Sequence, residues 1–156
     1  NVVRPLGAIA ADNVERRYFF EQVQDIFDIA KTTEGLIWHN HGLRRSDGIY
    51  LELLDLVTIE TDGADNPYVM TMAGWRDVKA MHAFSHRMRR HVDGMKALRH
   101  WVDRSEGPTM VMWWSRKGER VELEAAWDRL QKLRTNGPTP EAFTLQTRFD
   151  APSRAA

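Results

Sequence analysis

The chain has 156 residues, 22 basic and 22 acidic, with no cysteine and an apolar share of 42%. These values describe one globular domain and exclude disulfides, thiolate metal sites, a thiol nucleophile and any apolar run that spans a bilayer. A neutral charge balance removes the phosphate-neutralising reason to expect a nucleic-acid partner, and without a signal-peptide pattern the expected location is cytoplasmic.

Val2 to Ile9 reads as a first strand, broken by Pro5 and Gly7. Asp12 opens a helix with Glu15 completing a capping box, Phe19, Val23, Ile26, Phe27 and Ala30 form its apolar stripe, and Gly35 closes it after Thr33. Leu36 to His41 is a strand ending at Gly42, and Ile49 to Ile59 is an extended or partly helical piece. The turn signal from Asp62 to Pro67 leads into a strand over Tyr68 to Gly74. From Asp77 to Asp103 a helical period places Met81, Phe84, Met88, His91, Met95, Leu98 and Val102 on one inward face, interrupted at Gly94. Met110 to Trp114 reads as a strand covered on both faces. Val121 to Thr135 is a third helix, and Phe143 to Phe149 alternates like a final strand.

The resulting order is βαββαβ with an added C-terminal helix and strand. With helices on one face this is a ferredoxin-like, split-βαβ α+β fold, whose bare sheet face is expected to pair with a second copy. Residues 1–149 are expected to form the one domain and residues 150–156 a loose tail.

A set of residues then follows in order: Gly74-Trp75-x-Asp77-Val78-x-Ala80-Met81-x-Ala83-Phe84, His91, Trp101, Met112-Trp113-Trp114, Gly118, Glu124, Arg129-Leu130, Leu133 and Gly137-Pro138-Thr139-Pro140-x-Ala142-Phe143-Thr144. This pattern resembles a bacterial domain-of-unknown-function family of the dimeric α+β barrel superfamily, beside the antibiotic-biosynthesis monooxygenases. The resemblance covers roughly Gly35 to Phe149, and the Trp-Trp strand with the Gly-Pro-Thr-Pro run is its most specific part. Where that family has Trp followed by Arg, this chain has Trp38-His39-Asn40-His41. The resemblance implies a barrel-type homodimer. It brings in relatives that are cofactor-free monooxygenases, muconolactone-type isomerases, small-ligand binders and haem enzymes, so fold alone does not choose among them.

Three groups of residues can carry chemistry. His91, flanked by Met88 and Met95 on the inward stripe, has the near-neutral pKa a general base or acid needs; the plainer reading is a hydrogen-bonded core histidine. His39 and His41, two apart on a strand, point to one face and form half of a metal site, for which Glu52, Asp55, His82, His86, His91 or His100 is a possible third ligand; the plainer reading is a solvated strand end. His82 and His86 lie one helical turn apart, another chelate spacing, and His86 is also a candidate catalytic group. Trp38, Trp75, Phe84 and Trp113, with Met88 and Met95, can wall a pocket for a planar substrate, or simply fill the core.

The leading expectation is a small tailoring enzyme without a cofactor. It would act on a hydrophobic, aromatic or polyketide-like molecule by oxygenation or by base-catalysed isomerisation or cyclisation, with His91, His39 and His86 as catalytic candidates. The alternatives are a haem- or metal-dependent enzyme using His91, or His39 with His41, as ligands, and a non-catalytic ligand-binding or assembly protein.

Overall fold

A computed structural model describes residues 1–5, 25–52, 67–87, 89, 92–93, 96 and 102–152. Strand β1 (Val2–Pro5) is followed by helical residues 25–32 (α1), β2 (Leu36–Arg44), β3 (Tyr50–Glu52), β4 (Tyr68–Trp75), helix α2 (Val78–Arg87), β5 (Val102–Asp103) and helix α3 (Leu123–Asn136). The five strands form one sheet in the order β3-β2-β4-β1-β5, and every pairing is antiparallel. The chain is therefore α+β.

Local chemistry explains most of the boundaries. Gly35 sits at φ 93°, a left-handed turn that ends α1 and lets its carbonyl accept the Arg76 N–H at 2.7 Å, clamping the start of β2 to the end of β4. The β2–β3 hairpin closes through Arg45 N–H to the Ile49 carbonyl at 2.9 Å, and Asp47 accepts the Ile49 N–H at 3.1 Å. Asp77 caps α2 by accepting the Ala80 N–H at 2.7 Å, which, with Arg76 alongside, holds its carboxyl below the usual range. In α3 the buried stripe Leu123, Ala126, Leu130 and Leu133 follows helical spacing, and Gly137 returns its N–H to the Leu133 carbonyl at 3.0 Å.

Period two along β2 and β4 sends alternate side chains to two separate cores. One face carries Val2, Met70 and Met72 and is covered by α3 with Val111 and Ala142; Trp38, Tyr50, Tyr68, Trp113 and Trp127 pack around its margin. The other carries Leu43 and Val69, which are cross-strand partners, and receives α1 and α2. On the first side Trp127 is stacked by the Arg44 guanidinium, 4.3 Å from the ring centroid, and met edge-on by Tyr68 at 4.6 Å. Arg134, from the last turn of α3, pairs with Glu106 at 2.6 Å and donates to the Pro108 carbonyl at 3.0 Å, tying the loop after β5 to the helix.

Several expectations are corrected. The sheet face opposite α1 and α2 is not bare: α3 of the same chain occupies it, because its leucine stripe needs an apolar surface and Met70 and Met72 provide one. The helical region does not reach Asp103, since Val102 and Asp103 instead pair with Pro5 and Arg4 and give β1 its second neighbour. Helical residues after Arg87 are described only at 89, 92–93 and 96. Met110 to Trp114 and Phe143 to Phe149 are not sheet strands: they meet in a single antiparallel bridge, Met112 to Phe143. Val111 and Trp113 pack with the α3 core, Phe143 lies against the Trp114 and Phe149 rings, and Trp114 donates its indole N–H to the Phe149 carbonyl at 2.7 Å in place of a ladder. The first and second strands are Val2–Pro5 and Leu36–Arg44, the latter running past Gly42, and the piece expected from Ile49 is strand at Tyr50–Glu52. The capping box at Asp12 and Glu15, and the segment from residue 53 to 66, lie outside the described residues. No helix among the described residues is long and apolar enough to cross a membrane.

Candidate functional site

His39 and His41 share the α1-facing side of β2, as their spacing requires, opposite Ala73 and Thr71 of β4. Phe27, on α1, completes the group. Its ring stacks on His39 at 5.6 Å and on His41 at 5.0 Å between centroids, both at 17°, while the two imidazoles are nearly parallel at 6.2 Å and 6°. His41 is buried, and the backbone N–H beside it is taken by the Asn40 side-chain oxygen at 2.8 Å. The Asn40 amide in turn donates to Glu52 on β3 at 3.0 Å, so the hairpin fixes the strand under the stack.

His39 is half-buried, with Nδ1 enclosed and without a hydrogen bond to a described residue. Burial is the main cause that lowers its pKa below the ordinary 6.5; the positive charges of Lys31 and Arg120 act in the same direction, and Asp28 opposes them. Lys31 is itself paired with Asp28 at 2.7 Å. The ring is thus a neutral base in an aromatic setting. Because the folded chain binds this proton less readily than the unfolded chain, the contribution of His39 to stability is full above about pH 6.5 and is lost as pH falls through the lowered folded value. Urea unfolding of wild type and His39→Gln from pH 8 to pH 5 should show the wild type losing more stability on acidification; parallel pH profiles would contradict the assigned shift.

The other expected site residues do not converge here. Trp75 and Phe84 touch each other at 5.1 Å on the α2 side of the sheet. Trp38 lies on the opposite side, over Gly74 and against the α3 core, and Trp113 is also there, under the Arg129 guanidinium at 5.1 Å. The single aromatic wall expected from Trp38, Trp75, Phe84 and Trp113 is therefore split by the sheet itself, since Trp38 pairs with Gly74 and Trp75 is one residue further on. His82 and His86 stack on the exposed side of α2. His91, Met88, Met95, His100 and Asp55 lie outside the described residues. Among the described residues no three His, Asp or Glu side chains gather in a way that would hold a metal ion.

A family model described as "Domain of unknown function (DUF3291)" matches residues 1–156. The chain belongs to that family. No curated protein and no solved structure matches it. In this DUF3291 chain the Gly-Pro-Thr-Pro run borders a second feature that reasoning from sequence did not identify, an open groove of about 650 Å³ between α3 and the C-terminal arm, residues 137–152. Trp114, Asp128, Arg129, Lys132, Glu141 and Asp150 are among its lining residues. Arg129 donates to the Glu141 carbonyl at 2.8 Å, and the start of the expected loose tail, at Asp150 and Pro152, forms part of the groove. Phe27 was also missed as a site residue: its stripe marks it as core-facing, but only the way α1 lies on the sheet brings it to the histidines.

Proposed function

We propose that this DUF3291 domain is a small-molecule tailoring enzyme in which His39 removes a proton from an acidified C–H of a flat, hydrophobic, aromatic or polyketide-like substrate. The observation that supports it is the neutral His39 ring held beside Phe27 and His41. A base that is unprotonated at neutral pH, with an aromatic neighbour to stack a planar ligand, is what proton abstraction needs. His91, the base expected from sequence, lies outside the described residues, so His39 takes that role in this reading.

The order β2-β4-β1-β5 supports a split-βαβ, ferredoxin-like core with β3 added at one edge. In the barrel-type dimer two such sheets meet on the side away from the helices. Here α3 lies on that side, so the reading takes one chain as the unit that holds the site.

Abstraction leaves an enolate. Its reprotonation at another carbon completes an isomerisation, and its attack on an internal carbonyl completes a cyclisation. Where molecular oxygen is the electrophile, a C–O bond forms to give a hydroperoxide, which loses water to leave a ketone; one oxygen atom ends in each product. Anthrone, a flat polycycle whose methylene protons are acidified by a carbonyl through two aryl rings, is a suitable probe. Wild-type protein should accelerate deuterium exchange at that methylene under nitrogen, followed by NMR, and His39→Ala should slow it about a hundredfold. Equal rates in the two proteins, or no acceleration over buffer, would overturn the proposal. Loss of the wild-type rate on treatment with a chelator would do so as well, transferring His39 and His41 to a metal-ligand role.

A further inference from the structure

Helix α2 carries a second pair of imidazoles away from the stack under α1. His82 and His86 are one turn apart, so both rings project from the same strip of the helix. Their centroids are 4.2 Å apart and their planes differ by 3°. Both residues are exposed, and no hydrogen bond or ion pair to another described residue engages either ring. The helix beneath them is anchored on its other side. Ala80 is buried and sits against Gly35, Phe84 packs on Trp75 at 5.1 Å, and Asp77 caps the first turn. The two rings are therefore held together on a helix whose other face is docked on the sheet.

We propose that His82 and His86 form a bidentate surface site for a borderline divalent ion, with Cu²⁺ held most tightly. Imidazole nitrogens bind such ions at about 2.0–2.1 Å, and residues four apart on a helix can reach one ion together, the spacing that metalloprotease helices use for their two histidines. Nitrogen donors favour copper over nickel and zinc in the ordinary affinity series. Two features set the character of the site. No third His, Asp or Glu among the described residues joins the pair, which leaves the remaining positions to water or another ligand. Ala83 stands where the helical protease motif has its glutamate base, so the ion here has no hydrolytic partner on the helix. The site binds metal without being a peptidase centre, and it is independent of the role given to His39.

The test is isothermal titration of the whole chain with Cu²⁺ in a non-chelating buffer. Wild type should show a one-to-one component that His82→Ala and His86→Ala each weaken at least roughly tenfold, because one turn of helix gives the second ring a high effective concentration. The double variant should lose that component altogether, and His39→Gln should retain it. Electron paramagnetic resonance of the one-to-one complex should show two nitrogen donors, reduced to one in each single variant. A component that survives in the double variant, or single variants within about twofold of wild type, would overturn the assignment.

Discussion

Phe143→Ala is expected to lower the unfolding free energy by about 3–5 kcal/mol, the usual range for emptying a buried phenylalanine site. The ring is 1% exposed and, with Met70 and Leu130, is among the largest fully buried side chains of the described residues. It lies 6.3 Å from the Trp114 ring and 6.0 Å from that of Phe149, and so fills the space between the Met110–Trp114 segment and the C-terminal arm. Its backbone exchanges two hydrogen bonds of 2.8 Å with Met112, which alanine would keep. The loss is therefore one of packing: dispersion contacts and transferred apolar area go, and the cavity left behind collapses only in part. At roughly 2–4 °C per kcal/mol for a domain of this size, thermal unfolding should move down by on the order of 6–20 °C. The exposed neighbour Gln146 provides the control, since Gln146→Ala should stay within about 0.5 kcal/mol. Urea unfolding with an unchanged slope would measure both, and a Phe143→Ala cost below about 1 kcal/mol would show that the arm does not share the core.

This arm is also where reading the sequence and seeing the fold diverge most. Met110 to Trp114 and Phe143 to Phe149 have the composition and alternation of strands, and Met112 and Phe143 do find each other. Alternation records which side chains are buried, not what the backbone pairs with. Here Val111 and Trp113 are buried with the α3 core and Phe143 against Trp114 and Phe149, and the two segments meet through one bridge and one indole N–H. Helix α3 was legible for the complementary reason: Leu123, Ala126, Leu130 and Leu133 repeat over enough turns for the period to be unambiguous. Strand β5 had no such chance, because two residues carry no period and Val102 also continued the helical count from Met81. In the candidate site, the shared direction of His39 and His41 followed from strand geometry alone. The third ring, Phe27, is set by the docking of α1, and the depressed basicity of His39 by burial and by Lys31 and Arg120, which only the folded chain brings beside it. Trp38 and Trp75 could have been separated from sequence once their strands were paired, since cross-strand neighbours share a face and sequential residues do not.

Gly42→Ala is the second large effect expected, at about 1–3 kcal/mol, with Gly42→Val costing more. Gly42, near the end of β2, pairs with Glu52 on one side and Met70 on the other. A methyl group there would overlap the Leu51 carbonyl oxygen and the Leu123 side chain, so the position is a place of close approach between strand, hairpin and α3. The two overlaps differ in kind. Leu123 is a side chain that can be shortened, whereas the Leu51 oxygen belongs to the ladder of β3 and moves only if that three-residue edge strand moves. A double-mutant cycle separates them: Gly42→Ala should cost less in a Leu123→Ala background than in wild type, yet still cost something, because the carbonyl overlap remains. Strict additivity would show that Leu123 yields freely and that the clash is with the backbone alone. If the hairpin gives way, hydrogen exchange at Tyr50 to Glu52 should accelerate selectively, and the strain should pass one residue along β2 to His41. The stacking of His41 on Phe27 then loosens, so the same substitution should bring the proton affinity of His39 closer to its ordinary value, a change that NMR titration of the imidazole would detect.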